Sequence, residues 1–207
     1  MDHTEFADNV REENRTPLSR LGSSKALYAD TEGEMDDESV LAAAGARARG
    51  AAETFTDWAD DEDGAAAELF AGAADTERGH AETVADELGS EEFAGTPAVQ
   101  AHLRGVEGTV DRLGAFVGWA LAAGNNADQV VGYFVGQASP MTASTFRDVG
   151  GDFDDHVDAA GEVLEAVCEG DDDWERAVAA ATAAIEADYD AYFETLESLG
   201  VNPKPVC

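Results

Sequence analysis

Glu77 and His80 stand out in this sequence as residue types at a spacing suited to metal chemistry. Residues three apart lie on one face of an α-helix, so the carboxylate and the imidazole would point in the same direction. Helical bundles that hold two iron or manganese ions use Glu-x-x-His pairs to present a carboxylate and an imidazole to the metals. The pair predicts either metal binding or a structural hydrogen-bonded pair, and the spacing leaves both open.

A complete dinuclear site needs carboxylates from two further helices and a second pair of the same kind. His156 lies on a later apolar stripe, but Phe153 stands three residues before it; Asp152, four residues before it, can still reach the same face. The helix before Glu77 should contribute near position 48, where it offers alanine. The predicted metal ligands are therefore Glu77, His80 and His156, with iron or manganese as candidate ions. The alternative for His156 is an ordinary core histidine.

Long helices must position these residues, because apolar residues recur at three- and four-residue steps along most of the chain. The stripes cover residues 41–58, 70–88, 103–117, 146–167 and 174–199, and Glu77 and His80 lie on the second. Shorter helices are predicted near 4–15, 17–29 and 126–138, and no alternating β-branched run predicts a strand. The sequence thus predicts an all-α fold, with an N-terminal helical extension (1–30) and an antiparallel bundle of four to five long helices (31–207).

Capping residues mark where these helices should begin and end. Three polar residues precede a proline, which is favoured in the first turn of a helix, and two aspartates are further candidates. The predicted N-caps are Thr16, Thr96, Ser139, Asp36 and Asp173. Gly89 and Gly200 are predicted stops. Short acidic loops between the helices favour antiparallel neighbours along the chain.

The chain is extremely acidic, with 45 acids, 12 bases and a net charge of −33. At molar salt the Debye length falls to about 3 Å, so such a charge becomes tolerable and keeps the surface hydrated. An apolar content of 44 % disfavours a disordered acidic chain. No basic cluster followed by an apolar run opens the sequence, and the weakly polar residues 115–124 are too few to span a bilayer. We expect a cytoplasmic protein of a salty cell that does not enter membranes.

Two segments lack the large excess of acidic residues found in the rest of the chain. Residues 1–25 hold five acids and four bases, and residues 100–150 hold four acids and three bases. The first predicts a salt-bridged helix, with an anionic partner as the alternative; direct nucleic-acid binding is not expected at this net charge. The second predicts either a buried central helix or the interface of a homo-oligomer or protein partner.

Residues 74–81, ADTERGHA, resemble the second-helix metal motif of the ferritin-like superfamily that includes rubrerythrin. Over nearly its whole length the chain is similar to a haloarchaeal group commonly labelled "transcription antitermination protein" or rubrerythrin-like. The segments that carry this similarity are LGSSK at 21–25, FVGQ at 134–137, DDDWER at 171–176 and LGVNPKPVC at 199–207. The resemblance implies a ferritin-like bundle in a haloarchaeal cytoplasm. Of the family's ligands it carries over Glu77 and His80, with His156 as a partial match and no counterpart of the first-helix glutamate.

Two functions from different classes follow. The first is a ferritin-like bundle that has lost redox catalysis and acts by protein interaction, in regulation such as transcription antitermination. The second is a di-iron or di-manganese oxidoreductase that handles peroxide through Glu77, His80 and His156. The two cysteines, Cys168 and Cys207, are too few for a disulfide scaffold or a cysteine-ligated iron domain, although a terminal thiol could crosslink two chains.

Overall fold

The computed structural model describes residues 1–93 and 95–203, and within them every regular element is an α-helix. Cys207 lies outside this range. In chain order the helices are α1 His3–Glu13, α2 Arg15–Leu21, α3 Ser24–Asp30, α4 Asp37–Asp61, α5 Gly64–Leu88, α6 Ala98–Leu103, α7 Thr109–Gly136, α8 Pro140–Val167 and α9 Asp171–Ser198. The predicted all-α architecture is confirmed, and its five long helices fall within the predicted four to five.

Helix α7 lies at the centre of the bundle. It packs closely against both α8 and α9, and α4 and α5 form a second closely packed pair. The prediction that all consecutive long helices are neighbours is wrong for two pairs, because neither α5 and α7 nor α8 and α9 make comparably close backbone contact. The central place of α7 explains the scarcity of charge in residues 100–150, because much of this helix is buried.

Helix α7 is one continuous element, which corrects two predictions. The stripe over residues 103–117 is broken, since Leu103 ends α6 and Val106 lies in the loop before α7. Gly108, whose φ of +90° is readily adopted by glycine, is the N-cap of α7. The separate helix expected over 126–138 is instead the last part of α7.

The capping predictions for Asp36, Gly89 and Ser139 are confirmed. The Asp36 side chain accepts a hydrogen bond from the Ser39 N–H at the start of α4. Gly89 adopts the left-handed conformation that ends α5, and Ser139 precedes Pro140 at the start of α8. Thr16 and Asp173 were wrong as caps, because α2 begins at Arg15 after Asn14 and α9 begins at Asp171 after Gly170. Thr96 was wrong by one residue, since Pro97 is the N-cap of α6.

The N-terminal segment forms three short helices rather than the two expected, and it shares the core of the bundle. Phe6 and Val10 are fully buried, and the Phe6 ring lies 5.6 Å from that of Trp174. The predicted salt bridges within this segment are confirmed by the Arg11–Asp8 and Arg15–Glu12 pairs. Among the described residues, none of the helices combines the length and apolarity needed to cross a membrane.

Candidate functional site

Glu77 and His80 lie on the inward face of α5, as the apolar stripe predicted. Phe70, Ala73, Ala74 and Val84 of the same helix are also buried. Glu77 is 1 % exposed and His80 is 7 % exposed. A carboxylate at this depth needs compensating hydrogen bonds or charges, so its neighbours decide its chemistry.

Both ring nitrogens of His80 are occupied. Nδ1 lies 3.1 Å from Oε1 of Glu77, and Nε2 lies 2.8 Å from Oδ2 of Asp152 on α8. Asp152 is half-exposed, so the chain of hydrogen bonds runs from the buried Glu77 through the imidazole to the surface. An imidazole that donates from both nitrogens is the charged form, which two flanking carboxylates stabilise.

The pKa values of the pair reflect this arrangement. Burial raises the pKa of Glu77, and the hydrogen bond from His80 offsets part of that rise. Burial lowers the pKa of His80, but Glu77 and Asp152 more than compensate, so the net pKa is raised above 6.5. The raised pKa of His80 favours a charged imidazole between the two carboxylates, whereas the raised pKa of Glu77 opposes ionisation of that carboxyl group.

His156 lies on α8, one helical turn beyond Asp152, and its ring faces the carboxylate of Glu77. Its Nε2 is buried without a hydrogen-bond partner among the described residues and lies 3.9 Å from Oε1 of Glu77, beyond hydrogen-bonding distance. Burial, followed by the nearby His80 charge, lowers the pKa of His156 to about 4. The ring is packed among Phe116, Trp119 and Phe153, with ring centroids 5.4, 6.2 and 6.4 Å away. The structure thus brings the three predicted ligands together around Glu77.

The side that faces α4 is a cavity rather than a set of ligands. Its volume is about 50 Å³, enough to hold several water molecules. Ala44, Ala48 and Arg47 of α4 line it together with Glu77 and His80. Glu53, a carboxylate on α4 that lies off the apolar stripe, is paired with Arg104 on the exposed side.

These residues do not fit a dinuclear metal centre. Within residues 1–93 and 95–203, no group of three or more histidine, cysteine, aspartate or glutamate side chains has the arrangement of a metal site. The hydrogen bonds of His80 use both nitrogens that could bind a metal, and α4 supplies two alanines and a guanidinium where carboxylates would be needed. What the arrangement does supply is a buried, charged hydrogen-bond chain.

A second buried polar cluster was missed from the sequence. Arg47 donates to Asp30 of α3 at 2.7 Å and to Asp188 of α9 at 3.2 Å, and Asn126 of α7 donates to the other oxygen of Asp30 at 2.7 Å. Burial raises the pKa of Asp188, although Arg47 opposes the rise. The available signal was the gap between Ile185 and Tyr192 on the last apolar stripe, which Asp188 fills.

Comparison with known proteins gave no identification. No protein-family model, no curated protein and no solved structure matches the chain.

The lowered pKa of His156 predicts an acid-sensitive core. Its neutral form contributes stability that is fully present above the unfolded-state pKa near 6.5 and is lost as the pH falls towards about 4. The loss would reach about 3 kcal/mol. As the pH falls from 6.5 to 4.5, we expect the free energy of unfolding to decrease less for His156→Leu than for the wild type. Urea unfolding in molar KCl measures this difference.

The control is His3→Gln. The hydrogen bond to the Glu165 carboxylate raises the pKa of His3, so its contribution has the opposite pH dependence. Equal acid sensitivity of His156→Leu and the wild type would contradict a neutral buried His156.

Proposed function

We propose that this chain is a non-catalytic, degenerate ferritin-like helical bundle that acts by contact with other proteins. The occupied imidazole of His80 carries the proposal. Both of its nitrogens are hydrogen-bonded to carboxylates, and the facing helix offers Ala44 and Ala48. The buried charges then act as a polar link between α5 and α8 instead of a reaction centre.

The charge distribution supports a protein partner. With a net charge of −33, phosphate backbones are repelled, and two of the arginines near the N-terminus, Arg11 and Arg15, pair with nearby acids. The sequence resemblance implies a regulatory role, transcription antitermination, in a salty cytoplasm. At this charge, such a role would be exerted through protein contacts.

A second candidate is the di-iron or di-manganese rubrerythrin-like oxidoreductase. The observation that favours it is Nε2 of His156, a buried imidazole nitrogen without a partner, 3.9 Å from the Glu77 carboxylate. A polar atom left unpaired at this depth costs about 1–3 kcal/mol, and a cation between the two groups would relieve that cost.

Metal analysis separates the two candidates. Protein purified in molar KCl with iron and manganese supplied is expected to contain far less than one equivalent of either, measured by inductively coupled plasma mass spectrometry. Glu77→Gln should leave the metal content unchanged and lower the free energy of unfolding by about 1–3 kcal/mol, because His80 loses a charged partner.

The matched control is Glu82→Gln, which changes an exposed glutamate of the same helix and should alter neither quantity. Close to two equivalents of metal in the wild type and the Glu82→Gln variant, lost in Glu77→Gln, would establish the oxidoreductase and overturn the proposal.

A further inference from the structure

The turn between α7 and α8 is an uncharged surface on a highly charged protein. Residues 129–146 contain no Asp, Glu, Lys or Arg, in a chain of which 28 % is charged. We call its exposed part the uncharged tip, and it consists of Gly132, Val135, Gly136, Gln137, Ala138, Pro140, Met141 and Ser144. Burial explains the lack of charge along most of α7, but it does not explain these exposed residues.

The uncharged tip also carries the most exposed large apolar side chains of the described residues. Met141 is 81 % exposed and Val135 is 55 % exposed. The hydrophobic residues beneath them, Phe134, Ala143 and Phe146, are buried in a small core cluster. Met141 and Val135 therefore project from a well-packed part of the core. This is expected of an apolar contact site and not of a frayed helix end.

Two acidic groups border the tip. The exposed Glu87 of α5 accepts a hydrogen bond from Thr142, and Asp37 of α4 accepts one from Tyr133. A charged rim around an apolar centre is the usual anatomy of a protein interface.

We propose that the uncharged tip is a self-association surface whose occupant is the tip of a second copy of this chain. This inference rests on the proposed function by protein contact and names the partner. A basic partner would gain more from the acidic faces of the protein than from the tip. An acidic partner is repelled everywhere except at the tip, and a second copy has the same net charge and the same uncharged patch.

Two identical patches can meet about a two-fold axis, which buries Met141 and Val135 of both copies. The tip has eight exposed residues, fewer than the roughly 20–30 residues a side of a standard interface, so the dimer is weak. Molar salt reduces repulsion between the rims, since the Debye length is then about 3 Å.

The test is sedimentation equilibrium of the full chain in 0.5 M and 3 M KCl, with circular dichroism to confirm folding. We expect a reversible monomer–dimer equilibrium that tightens with salt. Met141→Glu should weaken association by about tenfold or more, as expected for a central apolar contact. The matched control, Ala71→Glu, adds the same charge at an exposed position of α5 and should leave the dimer intact.

A monomer at all protein concentrations in 3 M KCl, or a dimer that Met141→Glu does not weaken, would overturn the inference. These outcomes are distinct from failure of the proposed function, which is decided by stoichiometric metal at Glu77. A metal-free monomer would contradict only the self-association surface, whereas a metal-loaded dimer would contradict only the non-catalytic function.

Discussion

Gly118→Ala is expected to destabilise the protein by about 3 kcal/mol, at the upper end of the over-packing range. A Cβ atom at Gly118 would lie 2.2 Å from the carbonyl oxygen of Ala181, and one at Gly114 would lie 2.3 Å from that of Ala177. These obstacles are backbone atoms, so no rotamer change relieves the clash. Helices α7 and α9 would have to separate, which would disturb a core that includes Phe116 and Ile185.

The measurement is thermal unfolding in molar KCl, where the expected loss corresponds to a drop of about 6–12 °C in Tm. Gly72→Ala is the matched control, because Gly72 is an exposed glycine within α5 and a Cβ there meets no atom within 4 Å. Because alanine has a greater helix propensity than glycine, Gly72→Ala should stabilise the protein by about 0.5–1 kcal/mol. If both variants changed stability in the same direction, the close α7–α9 contact would be wrong.

Arg47→Met is expected to cost about 3–5 kcal/mol, the usual result of leaving a buried charge without its partner. Arg47 lies between Asp30 and Asp188, whose side chains are 17 % and 7 % exposed. The carboxylate of Asp188 would remain in the interior with no cation beside it. The same substitution at the exposed Arg15, which pairs with Glu12, should change stability by no more than about 1 kcal/mol.

The pH dependence of the Arg47→Met variant distinguishes lost charge pairing from lost packing. Burial raises the pKa of Asp188 even with Arg47 present, and the pKa should rise further in the variant. Protonation of Asp188 then removes the uncompensated charge, so the deficit relative to the wild type should shrink as the pH falls from 7 to 5. If urea unfolding shows that the difference in unfolding free energy from the wild type stays constant over this pH range, the lost stability is due to packing.

The two buried clusters were unequally visible in the sequence. Glu77 and His80 could be placed on a buried face, because their position on an apolar stripe is a local property of one helix. Asp152 was identified as able to reach the same face, but its role as the partner of Nε2 depends on the rotation of α8 against α5. Arg47, Asp30 and Asp188 come from three helices far apart in the chain, and no local spacing connects them.

Local physics determined what the sequence could specify by itself: helical periodicity, the start of α4 at Asp36, the end of α5 at Gly89, and the acidic surface. Periodicity identifies the face that each helix buries, but not the helix that covers it. Tertiary structure alone decided that α7 lies between α8 and α9, because Gly114 and Gly118 permit a backbone contact with α9. Packing also decided that Glu77 faces a hydrogen-bonded imidazole and an alanine-lined cavity, since those neighbours are brought together only by the assembled bundle.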